Sequence, residues 1–175
     1  MANEQVGKYL NEHFVASYQK VGTFRLVGGQ KQGGNVASYF CLSDGSVLHV
    51  IPGPVDAPTL LREARWVVET RKLAIAHSQG DIDEYKSVFR RAHSDRLRQE
   101  HGVDLRRQSF PEEHSTLAHA GTNNRRRKLS QQGQAHYLLA TSPLVKIEQI
   151  YDVVFEKILK QKLSTLPVEE RPAGS

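Results

Sequence analysis

Cysteine, methionine and tryptophan each occur once in this 175-residue chain, and aromatic residues make up only 7% of it. A single cysteine, Cys41, excludes an internal disulfide, which fits a reducing cytoplasm. No apolar run approaches the roughly 20 residues that a membrane helix needs, so no membrane span is expected. Met1-Ala-Asn-Glu-Gln5 lacks a basic start followed by an apolar segment. No signal peptide is therefore expected, and the cytoplasm is the expected location. There is no Gly-x-Ser-x-Gly elbow, no His-Glu-x-x-His helix and no Cys/His array. No catalytic constellation, cofactor or metal site is expected, and whether the chain is an enzyme stays open.

What is present suffices for one core and an appendage, at 38% hydrophobic content. The net charge of +5 is uneven: residues 79–139 hold 11 basic and 8 acidic side chains, whereas 140–175 hold 5 of each. The stretch 35–64 organises the rest. Val36 to Leu42 reads as a buried strand, Ser43-Asp44-Gly45-Ser46 as a tight turn, and Val47 to Ile51 as a second strand paired with the first. Pro52 and Pro54 end that strand, and Asp56 sits where a helix N-cap belongs, with Pro58 in the first turn. Leu60, Leu61, Ala64, Val67 and Val68 recur at helical spacing, so one face of this helix should cover the hairpin.

This order of strand, Asp-Gly turn, strand, proline-bounded bend and helix resembles the C-terminal half of a thioredoxin-like domain. Asn3-Glu-Gln-Val-Gly-Lys-Tyr-Leu-Asn-Glu-His-Phe-Val15 is similar to the family's first helix running into its next strand, and the resemblance covers about residues 3 to 76. The family's Cys-x-x-Cys sits at the start of that first helix, ahead of where this chain begins. Its cis-proline position is held by Val36. The resemblance therefore implies a thioredoxin-like protein without disulfide oxidoreductase activity, acting through protein binding. An alternative is a thiol–disulfide oxidoreductase whose active-site segment lies upstream of the assigned Met1.

Around that stretch, Val6 and Leu10 mark a first helix capped by Asn3, and Phe14 to Val21 and Thr23 to Val27 read as strands. Gly28-Gly-Gln-Lys-Gln-Gly-Gly34 reads as a loop. It lacks the Gly-Lys-Ser/Thr that opens a P-loop helix, so a flexible connection is the plainer expectation than a phosphate cradle. Asp81 with Glu84 opens another helix, with Ile82, Tyr85, Phe89 and Ala92 as its stripe. Residues 102–141 read as a basic, partly disordered linker. Ser142-Pro143 opens a last helix with Ile147, Ile150, Tyr151, Val154 and Ile158 on one face, and 167–175 read as a tail.

Three groups of side chains bear on function. Cys41 lies mid-strand between Phe40 and Leu42, as a structural cysteine does, rather than beside a charge that would activate it. Arg106, Arg107, Arg125, Arg126, Arg127 and Lys128 form the most basic patch. It is suited to an anionic partner, and nonspecific nucleic-acid binding is a further alternative, although aromatic residues for base stacking are nearly absent around it. The histidines (13, 49, 77, 93, 101, 114, 119 and 136) are scattered without ligand spacing. The expected architecture is α/β: a partial thioredoxin-like sheet-and-helix domain at 1–78, then a helical extension with an amphipathic helix at 79–101, the 102–141 linker and a docked helix at 142–166. A protein partner or self-association is expected.

Overall fold

The computed structural model describes residues 4–19, 24–27, 30–33, 36–105 and 129–163. Helix α1 (Glu4–His13) forms where Val6 and Leu10 predict it and buries Val6. Residues 14–19 take no regular structure, so the strand expected from Phe14 is absent over them. Strand β1 (Phe24–Val27) pairs antiparallel with β2 (Gln30–Gly33), with Val27 opposite Gln30. The expected glycine-rich loop is thus a strand over Gln30–Gly33. Only Gly28-Gly29 connect the pair, a two-residue link of hairpin length.

The central hairpin follows its local chemistry. Strands β3 (Ala37–Cys41) and β4 (Val47–Pro52) pair antiparallel, with a register shift between Phe40 and Cys41. Gly45 turns the chain at φ 81°, a conformation that costs glycine little, while Asp44 accepts a hydrogen bond from Ser46 N at 2.9 Å. Asp56 caps α2 (Ala57–Ser78), accepting from Thr59 N at 2.8 Å. Asp81 does the same for α3 (Ile82–His101), accepting from Asp83 N at 2.8 Å.

Two corrections concern the C-terminal part. Residues 131–141 of the expected linker are a helix, α4 (Gln131–Thr141), in which Ala135, His136, Leu138, Leu139 and Ala140 are all buried. A helix covered on several sides shows no one-faced periodicity, which is why its pattern reads as none. Residues 106–128 of that linker, including Arg106, Arg107, Arg125, Arg126, Arg127 and Lys128, lie outside the described residues, as does the 167–175 tail. The last helix begins at Ile147 rather than at Ser142-Pro143. Before it, Val145 O accepts from Val47 N at 2.9 Å, so the chain first runs beside the hairpin. Helix α5 (Ile147–Asp152) then continues as a π-helical turn over Val153–Ile158. Ile150, Val154 and Ile158 are buried as expected, but Tyr151 is 38% exposed. Leu159, at the end of the same apolar face, is buried too, while the widened turn departs from the 3.6-residue period and brings Phe155 into the core.

Every residue of β4 is buried, because helices cover the hairpin from two sides. Val47 and Val50 pack with Leu139, Ile150, Val154 and Phe155 from α4 and the C-terminal helix. Leu48 and Ile51 pack with Phe40, Val67 and Phe89, which ties in α2 and α3. The fold is mixed α/β, mostly helical, with the expected helical extension following the sheet-and-helix part. Among the described residues no helix is long and apolar enough to cross a membrane.

Candidate functional site

Three histidines meet where β4, α3 and α4 come together. His49 stands in the middle of β4. On α3 the buried line is Phe89, His93 and Leu97, at four-residue spacing, whereas Ile82 from the expected stripe is 57% exposed. His136 lies in the buried run of α4. The exposures of His49, His93 and His136 are 0%, 1% and 0%. Their ring centroids form a near-equilateral triangle, with sides of 5.7 Å (His49 to His93), 5.3 Å (His49 to His136) and 5.2 Å (His93 to His136). One nitrogen from each ring lies within 4.8 Å of the other two. The sequence signal was faint: His49 stands within an apolar strand and His93 four residues after Phe89, while α4 has no stripe against which His136 would stand out.

The hydrogen bonds dictate how two of the rings carry their protons. His93 Nε2 is 2.9 Å from Leu48 O, and a carbonyl only accepts, so Nε2 bears the proton. In a neutral ring Nδ1 is then an acceptor, and His136 Nδ1, 2.9 Å away, donates to it. That leaves His136 Nε2 bare, facing the Gln132 side-chain nitrogen at 3.4 Å. The same Gln132 nitrogen donates to Val50 O at 3.1 Å. Leu48 and Val50 thereby have their carbonyls satisfied by side chains of α3 and α4, not by another strand.

His49 is different. Its Nε2 lies 3.3 Å from Glu63 Oε2, close enough for attraction. The alignment is nevertheless not that of a hydrogen bond, and neither His49 nitrogen has such a partner among the described residues. Arg96 donates to the same Glu63 oxygen, with its guanidinium 4.3 Å over the Trp66 ring, and Arg62 Nε donates to Glu63 Oε1 at 3.2 Å.

Burial governs the charge states. It pushes the His93 imidazole down to about 3, with the neighbouring His49 adding to the effect. It also lowers His136, and it lowers His49 against the opposing pull of Glu63. All three rings are therefore neutral at pH 7. Burial alone would raise the Glu63 carboxyl, but its neighbours His49 and Arg96 outweigh burial and lower it. Since His49 is itself neutral, Arg96 supplies the lasting positive charge. The result is a buried set of neutral imidazoles beside one ionised carboxylate, able to share protons or to donate lone pairs to a cation.

The sequence-derived candidates fall elsewhere. Cys41 is partly buried on β3, where burial first and the Asp44 charge second push its thiol up to about 11. The basic patch lies outside the described residues. No short motif announces this cluster, because His49, His93 and His136 are distant in sequence, with 43 residues separating the last two. Comparison with protein-family models, with curated proteins and with solved structures finds no match for this chain.

Proposed function

We propose that this chain is a thioredoxin-like protein without disulfide oxidoreductase activity, acting by binding protein along the edge of β3. One observation carries this: among the described residues no backbone pairs with β3 on the side away from β4. Val36 O accepts from Gly53 N at 2.8 Å, and successive residues of a strand turn their polar groups to opposite edges. Ala37 and Tyr39 therefore direct N–H and C=O outward. Pairing of Ala37 with Pro52, which has no N–H to give, agrees with that assignment. An open edge accepts an added strand, and a second copy can add its own β3 about a two-fold axis.

The order β3, Gly45 turn, β4, α2 supports the thioredoxin-like part. The state of Cys41 supports the absence of thiol chemistry. It is the only thiol in the sequence, and at about 11 it is protonated at neutral pH, whereas the thiolate is the nucleophile.

Sedimentation velocity of the full chain beside Ala37→Pro is the test. The proline removes an outward N–H and leaves the β3–β4 bonds alone. The wild type should sediment as a dimer and the variant as a monomer with unchanged circular dichroism. A monomeric wild type removes the second copy as the occupant of the edge. Insulin reduction with dithiothreitol above background, lost in Cys41→Ser, overturns the non-redox assignment. So does an in-frame strand and Cys-x-x-Cys upstream of Met1 in the coding DNA.

A further inference from the structure

We propose that His49, His93 and His136 form a tris-histidine site for a divalent transition-metal ion, with zinc as the first candidate. This is independent of binding at β3. The point of departure is His49, which is 0% exposed and has neither ring nitrogen hydrogen-bonded among the described residues. Its Nε2 lies 3.3 Å from Glu63 Oε2, but Nδ1 faces no partner among the described residues, and a buried polar atom left unpaired calls for a ligand.

The triangle of rings has the size such a ligand requires. A Zn–N bond of about 2.05 Å puts a ring centroid about 3.2 Å from the metal, so a tetrahedral spread separates centroids by about 5.2 Å. The measured separations are 5.2, 5.3 and 5.7 Å. Two facing nitrogens bound to one tetrahedral ion stand about 3.3 Å apart. His93 Nδ1 and His136 Nδ1 are 2.9 Å apart, with a proton between them. Binding places the ion where that proton is. The proton moves to His136 Nε2, the ring stays neutral, and the Gln132 amide turns to offer its oxygen, giving up its hydrogen bond to Val50 O.

The surroundings already hold two of the ligands in place. A ligating histidine commonly gives its other N–H to a carbonyl or carboxylate, which fixes the ring. His93 does so with Leu48 O at 2.9 Å, and Glu63 lies beside His49, anchored by Arg96 and Arg62. Glu63 also offsets the Arg96 charge that would otherwise oppose a cation. Three imidazoles without a thiolate suit zinc, copper(II), nickel or cobalt rather than magnesium or calcium. Because the site is closed on all sides, the ion should enter as β4, α3 and α4 assemble and leave slowly.

Zn²⁺ and Co²⁺ titrations of the full, EDTA-treated chain test the site. One equivalent of Co²⁺, held by the three imidazoles with a water as the fourth donor, should give the visible absorption of a tetrahedral ion, and Zn²⁺ should abolish it mole for mole and raise the melting temperature. His49→Gln and His136→Gln should each weaken binding by more than about 100-fold, and Glu63→Gln by about 10- to 100-fold. The double substitution His114→Gln with His119→Gln, and the exposed His77→Gln, should leave it unchanged. If a cluster variant fails to fold, side-chain nitrogen NMR of the wild type decides: Zn²⁺ should shift three histidine rings together. A wild type that binds neither ion overturns the site. So does cobalt absorption that survives His136→Gln but disappears with His114 and His119.

Discussion

Cys41 and His49 lie on paired strands, and burial acts on both in the same sense, against the charged form. For an acid such as the thiol this raises the pKa; for the imidazole it lowers it. The consequence for Cys41 can be followed through with its sign. The thiol ionises near 9.0 when free of the fold and at about 11 within it, so only the unfolded chain readily loses that proton. The stabilisation is complete below pH 9 and is lost as pH rises from 9 towards 11, at up to about 1.4 kcal/mol per pH unit. At pH 8, alkylation of the native protein by iodoacetamide should be about 100-fold slower than in urea, since two pKa units separate the thiolate fractions. A native rate within a few-fold of the unfolded rate would contradict this. The protonated state of Cys41 was legible from its place between Phe40 and Leu42. His49 was not, because one histidine in a strand carries no sign of the two rings that meet it from α3 and α4.

At the scale of elements, the C-terminal helix shows what local pattern can and cannot convey. Val154 is 0% exposed and packs among residues of β4 and α4. Val154→Asp would bury a carboxylate without a partner and should cost more than about 3 kcal/mol, seen as a large fall in melting temperature. Arg126→Lys, in the basic segment, should melt with the wild type. Equal melting of Val154→Asp and wild type would mean that the helix is not docked. Ile150, Val154 and Ile158 were readable as its buried face because they recur with the α-helical period. Phe155 was not, since a π-turn breaks that period. The β3–β4 hairpin and α2 were readable for a different reason: Asp44-Gly45, Pro52 and Asp56 each fix their backbone through their own chemistry. Helix α4 has no such signals beyond Ser130 as its cap, and burial on several sides erases its stripe.

For the molecule as a whole, the boundary suggested at residue 78 does not separate two cores. Strand β4 belongs to both: Leu48 and Ile51 pack with α2 and α3, while Val47 and Val50 pack with α4 and the C-terminal helix. Removing everything after Leu105 would take away Leu138, Leu139, Ile150, Val154, Phe155, Ile158 and Leu159, all buried. At about 2 kcal/mol for each buried side chain the loss exceeds ~10 kcal/mol, comparable with the ~5–15 kcal/mol that holds a typical domain together. It would also leave Val50 O without Gln132 and His93 Nδ1 without His136. A fragment of residues 1–105 should therefore show no cooperative thermal transition by circular dichroism and should bind a hydrophobic dye, while the full chain melts in a single step. Cooperative melting of the fragment near the temperature of the full chain would make the extension a separate body. The histidine triangle would then be a seam between two independent units, not the centre of one.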